Sequence, residues 1–180
     1  GQTATVINES FTSWPAPGWS TYQFTPKGPW YQGMSKVLAH TEFASCKVID
    51  PEAIQDNWLV SPPIAVASNN YQLSFYADTD GDGKILVSTS SGVPTSTGGS
   101  FVAIPFTMPA SGSTWGQTKI TVDLSPYIST GQTAYIAFQV NDAAIPTINS
   151  RLNIDEITIG PATSINGTLS SVSPNGFNPL

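Results

Sequence analysis

The chain is 180 residues long, which suits one domain with a substantial core. Charged residues make up only 10% of it, well under the roughly 25% of an average soluble protein, and Ser, Thr, Asn and Gln carry the polarity. Six basic residues against twelve acidic ones leave a net charge of −6, and the bases are scattered, so a nucleic-acid partner, which needs clustered positive charge, is not expected.

Cys46 is the sole cysteine, so no internal disulfide can form and the fold must be held by its core or by a metal. No run approaches the ~18 apolar residues of a membrane span, and no basic-then-apolar leader opens the sequence. A soluble, exported protein without membrane insertion, monomeric as an isolated domain, is the expectation.

In chain order, residues 3–7 (TATVI) read as a first strand. WPAPGW follows, where Pro15, Pro17 and Gly18 forbid regular structure and hold Trp14 and Trp19 on a rigid loop. TPKGPWY repeats the device and presents Trp30 and Tyr31. Residues 35–39 can form a short strand, whereas residues 41–55 read as irregular and acidic.

The most strongly patterned block is residues 56–90, which opens on the apolar run Trp58, Leu59, Val60. In YQLSFYA, Leu73, Phe75 and Ala77 alternate with Gln72, Ser74 and Tyr76, and in KILVSTS, Ile85 and Val87 share a face. That period of two marks half-buried antiparallel strands. The DTDGDG between them supplies residues that tolerate φ > 0, so the two strands are expected to form a hairpin. The same run alternates Asp78, Asp80 and Asp82, with Gly83 at the turning position, as at the start of a calcium loop. Thr89 stands where a bidentate Glu would close such a loop, and a bare acidic turn satisfies the stretch equally well.

SGVPTSTGGS then reads as a flexible loop, and FVAIPF as a short strand that Pro105 confines to an edge. TKITVDL and TAYIAFQV alternate cleanly as strands. In RLNIDEITI, Leu152 and Ile154 share one parity while Ile157 and Ile159 share the other, so the phase slips at Asp155 and Glu156. A β-bulge there would restore one buried face and re-aim an acidic side chain, and bulges concentrate beside functional sites. Residues 161–180, rich in Ser, Asn, Gly and Pro, read as a linker or tail after a domain over residues 1–160. No segment sustains a period of 3.6, and turn signals recur at sandwich spacing, so the class is all-β.

The order of these pieces carries a resemblance. ESF followed by PAPGW, then DNWLVSPPI, YQLSFYA, ILVSTSSG, a lone Trp115 before VDLSPYISTGQTAYIAFQV, and a closing LNIDEITIG together resemble the cleaved-adhesin or choice-of-anchor J domains. Those domains occur in gingipain haemagglutinin regions and in many exported Bacteroidetes proteins, and are distantly related to MAM domains. The likeness spans about residues 8–160. It implies a jelly-roll β-sandwich of two antiparallel sheets, a secreted or cell-surface setting, and adhesive or ligand-binding work. It also implies a structural calcium at a sandwich edge, where the family's topology would gather Glu9, Asp56 and Asp155. The closing motif here pairs Asp155 with Glu156 in place of the family's two aspartates, and Thr12 follows Phe11 where an acidic residue is common.

Catalysis is not expected. His40 and Cys46 are the only His and Cys, neither within a catalytic signature, and no zinc spacing, phosphate loop or GxSxG motif is present. His40 reads as a loop or strand-end residue and Cys46 as an inert thiol. Trp14, Trp30 and Tyr31 are the expected ligand contacts, since exposed aromatics stack on sugars or anchor a protein partner, while Trp19, Trp58 and Trp115 plug the ends of the sandwich. The expected function is that of an exported bacterial adhesin-like module attaching to host protein or glycan within a larger surface or secreted protein. The alternative is a carbohydrate-binding accessory domain of a secreted hydrolase.

Overall fold

The computed structural model describes residues 6–26, 29–35, 40–47, 55–79, 83–108, 119–142 and 151–162. Every element among them is a strand: β1 (Ile7–Glu9), β2 (Ser20–Gln23), β3 (Tyr31–Met34), β4 (Glu42–Lys47), β5 (Gln55–Val60), β6 (Ile64–Ala65), β7 (Tyr71–Thr79), β8 (Lys84–Ser88), β9 (Val102–Ala103), β10 (Ile120–Asp123), β11 (Thr133–Asp142) and β12 (Arg151–Pro161). They form two antiparallel sheets. The first runs β10-β7-β12-β4-β3, with β1 also on β12, and the second runs β2-β5-β11-β8-β9, with β6 also on β11.

Alternation decides which side chains meet between the sheets. Leu73 and Phe75 from β7 and Ile154, Ile157 and Ile159 from β12 face Leu59, Ile85, Ile136 and Phe138 of the second sheet, all fully buried in one cluster. Phe75 and Phe138 meet edge to face across the gap at 5.3 Å. Each such ring contributes about 1.5–3 kcal/mol by leaving water, and the edge-to-face geometry adds roughly 0.5–1.5 kcal/mol. A second apolar cluster of Trp58, Val60, Leu86, Phe101 and Ala137 lies on the opposite parity of the second sheet, which puts it on that sheet's outer face.

That outer cluster changes the reading of two segments. Trp58 does not plug an end of the sandwich; its ring is covered by Phe101 at 5.4 Å. The Ser-rich stretch expected to be a flexible loop instead folds over this face, pinned where the Ser88 and Ser100 hydroxyls meet at 2.7 Å and where Ser88 Oγ accepts from the Ser91 amide.

The expected hairpin is not formed. β7 lies in the first sheet between β10 and β12, and β8 lies in the second between β11 and β9. Each is flanked on both edges, so neither has an edge left for the other, and the chain passes from the first sheet to the second between Thr79 and Gly83. Gly83 ends that crossing at φ +113°, with Leu152 so close that a Cβ would come within 2.7 Å of it. The stretch read as irregular contains β4. Its inward residues, Ala44 and Cys46, are small and its outward pair is Phe43 and Ser45, so hydropathy hides the alternation.

The bulge in β12 is where the phase slip put it. Asp155 is opposite Tyr76 and Thr158 opposite Ser74, with the register shifting between them, and Glu156 takes φ 51°. Leu152, Ile154, Ile157 and Ile159 thereby all point inward. At the same step β12 exchanges one neighbour for another, leaving β4 after Ile154 and meeting β1 from Ile157.

Candidate functional site

The outer face of the first sheet carries a connected set of polar side chains. Tyr31, Ser45, Asn153 and Asp78 are consecutive Cα partners across β3, β4, β12 and β7, so they form one row. The row is joined by hydrogen bonds of one polarity: Ser45 Oγ donates to Asn153 Oδ1 (2.6 Å), and Asn153 Nδ2 donates to Asp78 Oδ2 (3.3 Å). Arg151 closes it, its Nη2 donating to Asp78 Oδ1 at 3.2 Å. A groove of about 430 Å³ is lined by Tyr31, Ser45, Asn153 and Arg151, with Asp78 beneath it holding Arg151 and Asn153 in place. Tyr31 forms its rim at 42% exposure, and Gly33 stands opposite Phe43 with the ring 2.2 Å from where a Cβ would sit. Only glycine admits that close approach, which keeps the floor flat.

A second constellation lies at the bulge. His40, just ahead of β4, is buried and its Nδ1 meets Asp155 Oδ2 at 2.7 Å, with its ring against Tyr76 at 5.1 Å. Asp155 Oδ1 is buried without a hydrogen-bond partner. Burial pushes the Asp155 carboxyl above the ordinary carboxylate range, against the pull of the Glu156 amide and of His40. One ligand atom each from His40, Asp155 and the exposed Glu156 lies within 4.8 Å of the other two, the one such grouping of His, Cys, Asp and Glu among the described residues.

The structure redistributes the residues expected from the sequence. Tyr31 is at the groove, but Trp30 is not exposed: it is 4% accessible, its ring joins the core and its Nε1 donates to the Asn57 carbonyl. Trp14 is half-buried and packs on Phe11 at 6.0 Å, while Trp19 lies in the core. Trp115 lies outside the described residues. Cys46 is in the core, and its thiol donates to Gln55 Oε1.

Glu9, Asp56 and Asp155 do not converge. Asp56 shares the outward parity of Trp58 on the second sheet, where its Oδ1 accepts from Trp58 Nε1 and Gln139 Nε2, so the whole core separates it from Asp155. Glu9 accepts from the Phe11 amide and shares a cleft with Glu156. Of the alternative set, Asp78 is engaged by Arg151 and Asn153, and Asp80 and Asp82 lie outside the described residues. Sequence reasoning missed His40, Arg151, Asn153 and Ser45. The outward parity of Asn153 and Asp78 in two central strands was the available signal, because polar residues there must face something that satisfies them.

No family model matches the chain, and no curated protein matches it. Solved structures of the same fold do. The K1 cleaved adhesin domain of Lys-gingipain from Porphyromonas gingivalis W83 is 20% identical at a TM-score of 0.62, over 86% of this chain and 97% of that one. The K3 cleaved adhesin domain of the same protein is 18% identical at 0.61, over 89% and 99%. The CBM22-1 xylan-binding domain of Xyn10C from Paenibacillus barcinonensis is 12% identical at 0.57, over 89% and 97%. The chain thus has the β-sandwich fold of cleaved adhesin domains and carbohydrate-binding modules.

Proposed function

We propose that this chain is a non-catalytic saccharide-binding module of an exported bacterial surface or secreted protein, and that it binds through the outer face of the first sheet. The observation that carries this reading is the Tyr31–Ser45–Asn153–Asp78 row with Arg151. A sugar ring offers an apolar C–H face and a rim of hydroxyls that both donate and accept. Tyr31 supplies a flat partner for the first, and the Arg151 guanidinium, Asn153 amide and Ser45 hydroxyl that line the groove supply both polarities for the second. The groups stand on four strands and hold one another in place, so little ordering is needed on binding. The fold it shares with adhesin and xylan-binding domains supports the same reading, including an extracellular setting.

A glycan array with the intact chain tests this. For the glycan that binds, Tyr31→Ala is expected to weaken binding by about 2 kcal/mol or more, as at an aromatic hot spot, with the thermal midpoint nearly unchanged. Binding indifferent to Tyr31→Ala, or no glycan bound at all, contradicts the proposal. One observation favours a protein partner as the second reading: Met34, 73% exposed, shares edge strand β3 with Tyr31, and Met and Tyr are enriched at protein interfaces. A panel of host-matrix proteins, run beside the array, separates the two.

A further inference from the structure

The bulge constellation does not suit the calcium that the family resemblance implies. Calcium takes about six to eight oxygens, and of the three carboxylates expected to supply them Asp56 lies on the far face of the sandwich while Glu9, beside Glu156, is turned back to the Phe11 amide. What the fold assembles instead is one imidazole with two carboxylates.

We propose that His40, Asp155 and Glu156 bind a divalent cation of the zinc class and discriminate against calcium. Imidazole nitrogen with carboxylate oxygen is a donor set for zinc and its transition-metal neighbours, whereas carboxylates and carbonyls without nitrogen suit calcium. Three protein ligands and one position left to solvent is a common zinc arrangement, with donors about 2.0–2.2 Å from the ion and hence roughly 3.4 Å from each other. The three ligand atoms lie within 4.8 Å of one another, and any closing onto an ion falls to the exposed Glu156 side chain, since His40 and Asp155 are buried.

A second observation points to the same ligand. The Asp155 side chain is only 5% exposed, yet its Oδ1 is one of four buried side-chain polar atoms among the described residues that have no hydrogen-bond partner, and the only carboxylate oxygen among them. A cation would satisfy that oxygen. The bulge explains why the donors meet here. It occupies the gap where β12 passes from β4 to β1, the φ 51° of Glu156 interrupts the alternation that would send adjacent carboxylates to opposite faces, and His40 enters from the start of β4. The ion would tie the start of β4 to the bulge of β12, two segments 115 residues apart along the chain.

His40 is the only histidine, so its imidazole nitrogen signals report ligation without ambiguity in protein free of any affinity tag. Chelator-treated protein is titrated with zinc chloride or calcium chloride, and the thermal midpoint, the calorimetric stoichiometry and the His40 ¹⁵N shifts are read. Zinc is expected to bind one to one, raise the midpoint and move the His40 signals, while calcium does none of these. His40→Gln and Asp155→Asn are expected to remove the zinc response. Glu156→Gln, at an exposed position that should not disturb folding, is expected to weaken zinc at least about tenfold. A calcium response equal to that of zinc overturns the proposal, as does zinc binding that leaves the His40 signals unmoved or is indifferent to Glu156→Gln.

Discussion

Trp30 and Tyr31 are adjacent in the chain and take opposite roles, one holding the sandwich and the other rimming its groove. The flanking prolines suggested a rigid aromatic loop, but Tyr31 opens strand β3. Which ring would turn inward was not legible, because it depends on the Asn57 carbonyl 27 residues away. Trp30→Ala should therefore cost about 3–5 kcal/mol of folding stability in a denaturant titration, as for other buried aromatics. A loss under about 1 kcal/mol would show that the indole is not a core residue. The same distinction explains His40, whose loop position was visible but whose partner, Asp155, comes from the far end of the chain. Gly33 is similar: nothing in its local sequence announces that Phe43 will lie against it.

Among the elements, β12 was the most legible because its four inward residues are large and aliphatic, so the phase slip could only be a bulge. β4 was hidden by inward residues as small as Ala44 and Cys46. The β7–β8 turn misled for a different reason. Turn chemistry says that the chain reverses, but not whether it returns beside itself or crosses to the other sheet, and that is decided by the competing partners β12 and β11. The turn after β10 offers a test of local design. Asp123 Oδ1 accepts from the Ser125 amide at 2.9 Å, and that bond, with help from the Ser125 hydroxyl, holds the Asp123 carboxyl below its ordinary range. A carboxylate favoured in the folded state stabilises the fold above its unfolded pKa, and that contribution is lost as pH falls through the folded value. Asp123→Ala should then lower the thermal midpoint at neutral pH, and the gap from the parent should close as the pH drops below the ordinary carboxylate range. A gap independent of pH would mean that packing, not the ionised acceptor, is what the substitution removes.

At the scale of the whole molecule, two sheets share one core through contacts such as Phe75 with Phe138, and their outer faces diverge in character. The second sheet covers its outer face with Phe101 over Trp58 and leaves Tyr22 and Tyr135 half-buried at its margin. The first sheet leaves open a groove with Tyr31 at its rim and a hydrogen-bonded polar row beneath. The all-β class and the sandwich were legible because they depend on alternation repeated along many strands; the choice of face depends on cross-strand registers that no local pattern contains. The most direct measurement is amide and side-chain chemical-shift mapping during titration with the glycan that binds. Shifts concentrated at Tyr31, Gly33, Ser45, Arg151 and Asn153 are expected, with the Tyr22 and Tyr135 face unmoved; shifts concentrated at Tyr22, Tyr135 and the segment over Trp58, with the Tyr31 row silent, would contradict the assignment of the first sheet as the binding face.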